Sequence, residues 1–182
     1  TRLAALTGDP ALPTFRETAD VLTGWDGVAV DPEGVPPELV RRLPEMLDLQ
    51  ARAQQVTAGD VLVHWDARSD NVLLRGGEAV LLDWAWACRG AGWLDTLLLA
   101  VDFVVQGGPD PDHYLRSTGP TATADPADLR AVVATMVGFW RDRARSPAPP
   151  GLPTIRRWQA HCAERTQQWL DASRVLSGRP EH

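Results

Sequence analysis

The stretch Val61-Leu62-Val63-His64-Trp65-Asp66-Ala67-Arg68-Ser69-Asp70-Asn71-Val72-Leu73-Leu74-Arg75-Gly76-Gly77-Glu78-Ala79-Val80-Leu81-Leu82-Asp83-Trp84 organises the chain. Short apolar runs at 61–63, 71–74 and 79–83 read as strands. The last two close into a hairpin around the Gly76-Gly77 pair. Between the first and second runs lie His64, Asp66, Arg68, Asp70 and Asn71, where a loop projects them together. Asp83 ends the returning strand of the hairpin, so it comes back to the end where Asn71 sits. A carboxylate, an amide oxygen and a second carboxylate then converge. Hard oxygen ligands of this kind suit Mg²⁺, which keeps several waters and shares phosphate oxygens. Phosphoryl transfer uses such parts: an acid that orients the attacking hydroxyl, and a metal beside the phosphates.

Outward from this stretch the pattern is helical. Leu39, Leu43, Leu47 and Leu49 recur at helical spacing over 36–56, and Pro44 either kinks that helix or starts a second one. Residues 93–101 are apolar nearly all round and read as a buried helix. Asp125, Pro126 and Asp128 are a helix start, followed by Leu129, Val132, Val133, Met136, Val137 and Trp140 to about residue 145. A last helix begins near Thr154, with Ile155, Trp158, Cys162, Trp169 and Leu176 on its inner stripe. Pro and Gly clusters at 8–13, 31–37, 107–111, 119–126 and 146–153 read as loops. The expected fold is α+β and mostly α: a helical body with a few short central strands.

Composition narrows the classes. The chain has 182 residues, a net charge of -6 and 44% hydrophobic residues, values of a globular domain. No strong basic patch is present, which speaks against a nucleic-acid partner. No run of about 18 uninterrupted apolar residues exists, so no membrane span is expected. The N-terminal TRLAALTGDP lacks a basic start followed by a long apolar run, so no secretory signal is expected, and a cytoplasmic location is the default expectation. All 18 basic residues are Arg. Cys88 and Cys162 form no CxxC pair, and neither a zinc site nor a disulfide framework is expected.

The pattern H-x-D-x-x-x-x-N, a strand hairpin and then Asp83-Trp84, Gly90 and Trp93-Leu94-Asp95 resembles the aminoglycoside phosphotransferase and choline kinase family, on the protein-kinase-like fold. The motif-bearing part covers residues 64–101. The resemblance implies a Mg²⁺- and ATP-dependent transfer of the γ-phosphoryl group to a hydroxyl-bearing small molecule. It implies Asp66 as the catalytic base and Asn71 and Asp83 as Mg²⁺ ligands. It gives His64 a structural role in propping the loop. Asp95 would brace the catalytic loop through hydrogen bonds to its backbone. Arg68 has two readings: it offsets charge on the transferred phosphate, or it forms a surface ion pair with Asp70. Acceptors across the wider family include aminoglycosides, macrolides, choline and homoserine, and antibiotic resistance is among its roles. The family places a smaller nucleotide-binding lobe, with a Lys–Glu pair, before the catalytic lobe. About 60 helical and loop-like residues precede His64 here, and Lys is absent. The chain therefore resembles a single C-terminal catalytic lobe over 1–182, from a longer product or a truncated member, with the nucleotide-binding lobe apparently absent.

Two other functions compete. One is a stand-alone, non-catalytic lobe that binds a partner or small ligand and exposes an apolar face. The other is a metal-dependent phosphohydrolase using His64, Asp66, Asp70 and Asp83. Trp84, Trp86 and Trp93 are expected in the core, with an acceptor pocket as the alternative. His113 and His161 are expected at the surface. Asp102, Asp110, Asp112, Asp125 and Asp128 are expected to be solvated, with a cationic acceptor as the alternative.

Overall fold

Gly76 and Gly77 take φ of 59° and 83°, as a type I′ turn requires at both central positions. The computed structural model describes residues 6–18 and 20–179, without the side chains of Asp20 and Val21. Residues 1–5, on which the absence of a secretory signal was partly read, lie outside the described residues. The class is α+β and mostly helical, with two small two-stranded sheets among the described residues. No described helix is long and apolar enough to cross a membrane.

The chain forms two compact units, one from residues 1–19 and 56–125, the other from 20–55 and 126–182. In the first, α1 (Phe15–Thr18) precedes β1 (Val61–Val63), and a 3₁₀ turn (Ser69–Asn71) leads into β2 (Val72–Arg75). β2 pairs antiparallel with β3 (Glu78–Leu81), with Val72 opposite Leu81. β1 pairs antiparallel with β4 (Cys88–Gly90). That fourth strand has no sequence signal, being three residues long and ending in Gly. Then come α5 (Leu94–Gln106), α6 (Pro111–Ser117) and α7 (Gly119–Ala122). α5 runs past the expected 101 and stops where Gly107 turns left-handed at φ 73°. The regions 107–111 and 119–126 are not wholly loop. Asp110 caps α6 by accepting from Asp112 N–H at 3.0 Å, with Pro111 in its first turn.

The second unit holds α2 (Gly24–Val30), α3 (Pro37–Arg41), most of α4 (Leu43–Val56), α8 (Pro126–Ala144) and α9 (Ile155–Ala172). The chain breaks at Arg42, so Pro44 sits in the first turn of a second helix. α9 ends at Ala172, and Leu176 is buried from the turn beyond it rather than on a helical stripe. Trp140 and Trp169 are buried as expected, and Trp140 meets the half-buried Trp158 edge-on at 6.5 Å. Trp25 is fully buried, with its indole N–H donating to Ala134 O at 2.7 Å and its backbone N–H to Gln50 Oε1 at 2.9 Å. Such bonds offset the cost of burying polar atoms.

Close approach of α2 and α8 depends on glycine. A Cβ on Gly138 would lie 2.5 Å from Trp25 Cδ1, and one on Gly24 would meet the backbone of Phe139. Gly138→Ala is therefore expected to cost about 1–3 kcal/mol through overpacking, despite a better helix former. Urea unfolding checks this; an equal or raised midpoint contradicts it.

A charge network ties α8 and α9 to the start of α4. Arg42 donates to Glu45 at 2.9 Å and to Asp171 at 2.8 Å, and Arg130 donates to Glu45 at 3.2 Å and to Leu170 O at 3.0 Å. The Arg42 hydrogen bond holds the Glu45 carboxyl below its usual range, against partial burial, with Arg130 adding to the shift. A lowered carboxyl contributes stability above its unfolded pKa and loses it as pH falls through the folded value. Glu45→Gln should cost up to about 1 kcal/mol near neutral pH, since the pair is partly exposed. The deficit should vanish in acid below both values. A deficit independent of pH would contradict this.

Candidate functional site

The loop after β1 begins with a backbone that needs support. Trp65 takes φ of 64°, a region that costs a non-glycine residue roughly 1–2 kcal/mol. Asp95, in the first turn of α5, supplies the support. Its carboxylate accepts from His64 N–H at 2.9 Å and from Trp65 N–H at 3.0 Å. Bonds to a charged acceptor are worth about 1.5–3 kcal/mol each, so the pair outweighs the strain. Phe15 adds an edge-on ring contact to Trp65 at 4.3 Å. Burial pushes the Asp95 carboxyl up, and the two N–H donors pull it part of the way back.

His64 is fully buried, and both ring nitrogens are engaged. Nε2–H donates to Leu82 O at 2.8 Å, and Nδ1 accepts from Asp66 N–H at 3.3 Å. A neutral ring with its proton on Nε2 satisfies both. Leu82 is pinned on its other side too, because its N–H donates to Asn71 O at 2.8 Å. This bond extends the hairpin ladder by one step and sets Asn71 beside the strand end that leads to Asp83. Asp83 takes φ of 58°, which the short acidic side chain tolerates, and it is exposed.

Asn71 donates its amide nitrogen twice to Asp66, at 2.9 Å to the backbone carbonyl and at 2.9 Å to Oδ2. The Asn71 oxygen is thereby left for another donor or a cation. Arg68 lies beside the same carboxylate, with Nε 3.3 Å from Asp66 Oδ1 and Nη2 3.1 Å from Asp70 Oδ2. The ion pair expected with Asp70 is present, and a second with Asp66 accompanies it. His64, Asp66, Arg68, Asn71 and Asp95 are thus joined by hydrogen bonds and ion pairs in the first unit, and Asp83 follows Leu82 along the chain.

The donor chemistry fits a hard cation only with outside help. Asn71 and Asp83 offer one amide oxygen and one carboxylate. Mg²⁺ is commonly held by one or two carboxylates plus phosphate oxygens and waters. Among the described residues no group of three or more His, Cys, Asp or Glu is placed to hold a metal. The phosphohydrolase set loses His64, whose ring nitrogens are both committed.

Some expectations need correction. Trp84 and Trp86 are exposed rather than in the core, and Trp93 is half-buried. Trp84 and Trp86 lie in the irregular segment between β3 and β4, not on a helical stripe. Trp84 meets the His64 ring edge-on at 4.5 Å and donates its indole N–H to Leu81 O at 3.0 Å. Asp102 is not a solvated acid. It is 6% exposed, on α5, and accepts from Ser69 N–H at 2.9 Å. Its position seven residues after Asp95 was the available signal, since residues two turns apart share a helix face. Asp128 pairs with Arg52 at 2.6 Å. His113 and His161 are exposed as expected. Burial pushes the Cys88 thiol up to about 11, the opposite of an activated thiolate.

Comparison with known proteins gives no match to a family model, to a curated protein or to a solved structure.

Asp95→Ala should release the strained loop and cost about 2–4 kcal/mol, because two amides lose a charged acceptor. Asp95→Asn has one acceptor oxygen and should recover part of that. Thermal unfolding of the two variants checks the order; equal midpoints would contradict it.

Proposed function

We propose that this chain is the C-terminal catalytic lobe of a protein-kinase-like phosphotransferase of the aminoglycoside phosphotransferase type. It would transfer the γ-phosphoryl of Mg²⁺-bound ATP to the hydroxyl of a small molecule. The observation that carries the reading is the double bond-pair from the Asn71 amide to Asp66, with Asp83 delivered beside Asn71 by the hairpin register. On this reading a carboxylate for an attacking hydroxyl would lie with two oxygen donors for a cation.

Each residue then has a task. Asp66 orients the acceptor hydroxyl and takes its proton. Asn71 Oδ1 and Asp83 would hold Mg²⁺, which would offset charge on the phosphates. Arg68 sits at the rim of the carboxylate pair. Its partly exposed ion pairs are worth about 0–1 kcal/mol, so an incoming phosphate can displace them. His64 and Asp95 hold the loops and touch no reactant.

The test is ADP release across a panel of hydroxyl compounds, using the protein as expressed from its own gene. Asp66→Asn should lower turnover by about 10²–10⁴-fold while the melting temperature stays within a few degrees. Undiminished turnover in that variant would overturn the assignment.

A second reading has one observation behind it. Leu73, Leu74, Val80, Leu82, Trp84 and Trp86 are all exposed on the hairpin and the loop after it, with Leu74 at 77% and Trp86 at 56%. A lobe that binds a partner chain through this hairpin and loop would expose such apolar side chains. On that reading Leu74→Lys with Trp86→Ser weakens partner binding, whereas Asp66→Asn leaves it unchanged.

A further inference from the structure

A buried carboxylate on an otherwise apolar helix is costly unless it is paired. Asp102 is such a group. It lies among Leu98, Val101 and Val104 on α5, and its carboxylate takes one hydrogen bond among the described residues, from Ser69 N–H. Ser69 opens the 3₁₀ turn that ends in Asn71. The first amides of such a turn have no partner within it, and a capping side chain at the residue before it takes that of the second or third residue. Here the preceding residue is Arg68, a donor, and it makes no cap. Asp102 supplies the missing acceptor from a distant part of the chain.

We propose that α5 is a two-point clamp in which Asp95 fixes the loop at His64 and Trp65, and Asp102 separately fixes it at Ser69, setting the turn that presents Asn71. Asp102 is a positioning residue: it contacts the turn and acts through Asn71. The hydrogen bonds that follow are in register with this task. Asn71 N–H donates to Arg68 O at 3.0 Å, closing the turn that Asp102 opens. Asn71 then reaches back to Asp66 with its side chain. The clamp holds whatever reaction the loop serves; its value for metal and phosphate binding rests on the phosphotransferase reading.

The clamp separates loop order from fold stability, and this makes it testable. Asp102→Leu removes the cost of burying a carboxylate but also the acceptor of Ser69 N–H, which water can replace at an exposed residue, so the melting temperature should stay within a few degrees. The substitution should also speed amide hydrogen exchange across Ser69–Asn71 by about tenfold or more, as loss of one capping bond implies. Exchange at His64 and Trp65 should stay slow, since Asp95 is untouched. Asp102→Asn keeps a carbonyl acceptor and should restore slow exchange. Ser69→Pro is a second probe that removes the N–H donor while Asp102 stays in place. Arg68 at φ -127° and ψ 160° already has the backbone that a following proline requires, and proline suits a first-turn position. That variant should speed exchange at residues 70 and 71 with Asp102 in place. The proposal is overturned if Asp102→Leu leaves exchange at residues 69–71 unchanged, or if it speeds 64–71 uniformly. If Asp102→Leu fails to fold, unchanged exchange at 70 and 71 in Ser69→Pro overturns it instead. Slow exchange that responds as expected, together with an inactive protein, would leave the clamp standing and count against the phosphotransferase reading alone.

Discussion

Everything at the site depends on one carboxylate accepting two consecutive backbone N–H groups. His64 and Trp65 can lie as they do only because Asp95 binds both amides from the start of α5. Without it, a tryptophan at φ 64° has little reason to stay there. With it, the chain reverses sharply after β1 and sends Asp66 toward the hairpin. His64 is drawn inward by the same constraint and bonds to Leu82, so the loop after β1 and the segment before Asp83 are held to each other.

The result is a loop whose members are fixed by separate contacts. Asp95 sets the entry, Leu82 receives both the His64 ring and the hairpin ladder, and Asn71 closes back on Asp66. Of the acids between β1 and β4, Asp70 and Asp83 are exposed and Asp66 is half-buried. The groups that brace the loop lie inward, and the carboxylates of Asp70 and Asp83 lie toward solvent. The strain is local, at Trp65, and Asp83 adopts its left-handed backbone at less cost because aspartate tolerates it.

Much of this was legible in the residues. The Gly76-Gly77 turn and the return of Asp83 to the Asn71 end follow from strand period and turn chemistry. The start of α8 follows from Pro126 and Asp128. Asp95 as a backbone brace came only from the family resemblance, yet its two hydrogen bonds are present. Other features had a weak local signal or none. β4 is three residues, Cys88-Arg89-Gly90, whose pairing to β1 is decided by long-range contact. Asp102 looked like one acid among several, because burial is set by packing and not by composition. Trp84 and Trp86 looked like core by residue type, but they lie in irregular backbone with no periodicity to turn them inward. α6 carries in Asp110-Pro111-Asp112 the same start signature as α8, but it is short and set among glycines and prolines that mark loop.

The central claim is that Asp66, Asn71 and Asp83 form one oxygen-rich site for a metal–phosphate group. The most direct measurement is paramagnetic broadening of backbone amide signals by Mn²⁺ in the presence of ATP. The account predicts broadening centred on residues 66, 71 and 83, lost in Asp83→Ala while the rest of the spectrum is kept. Broadening spread over the surface acids, or centred elsewhere and indifferent to Asp83→Ala, would contradict it.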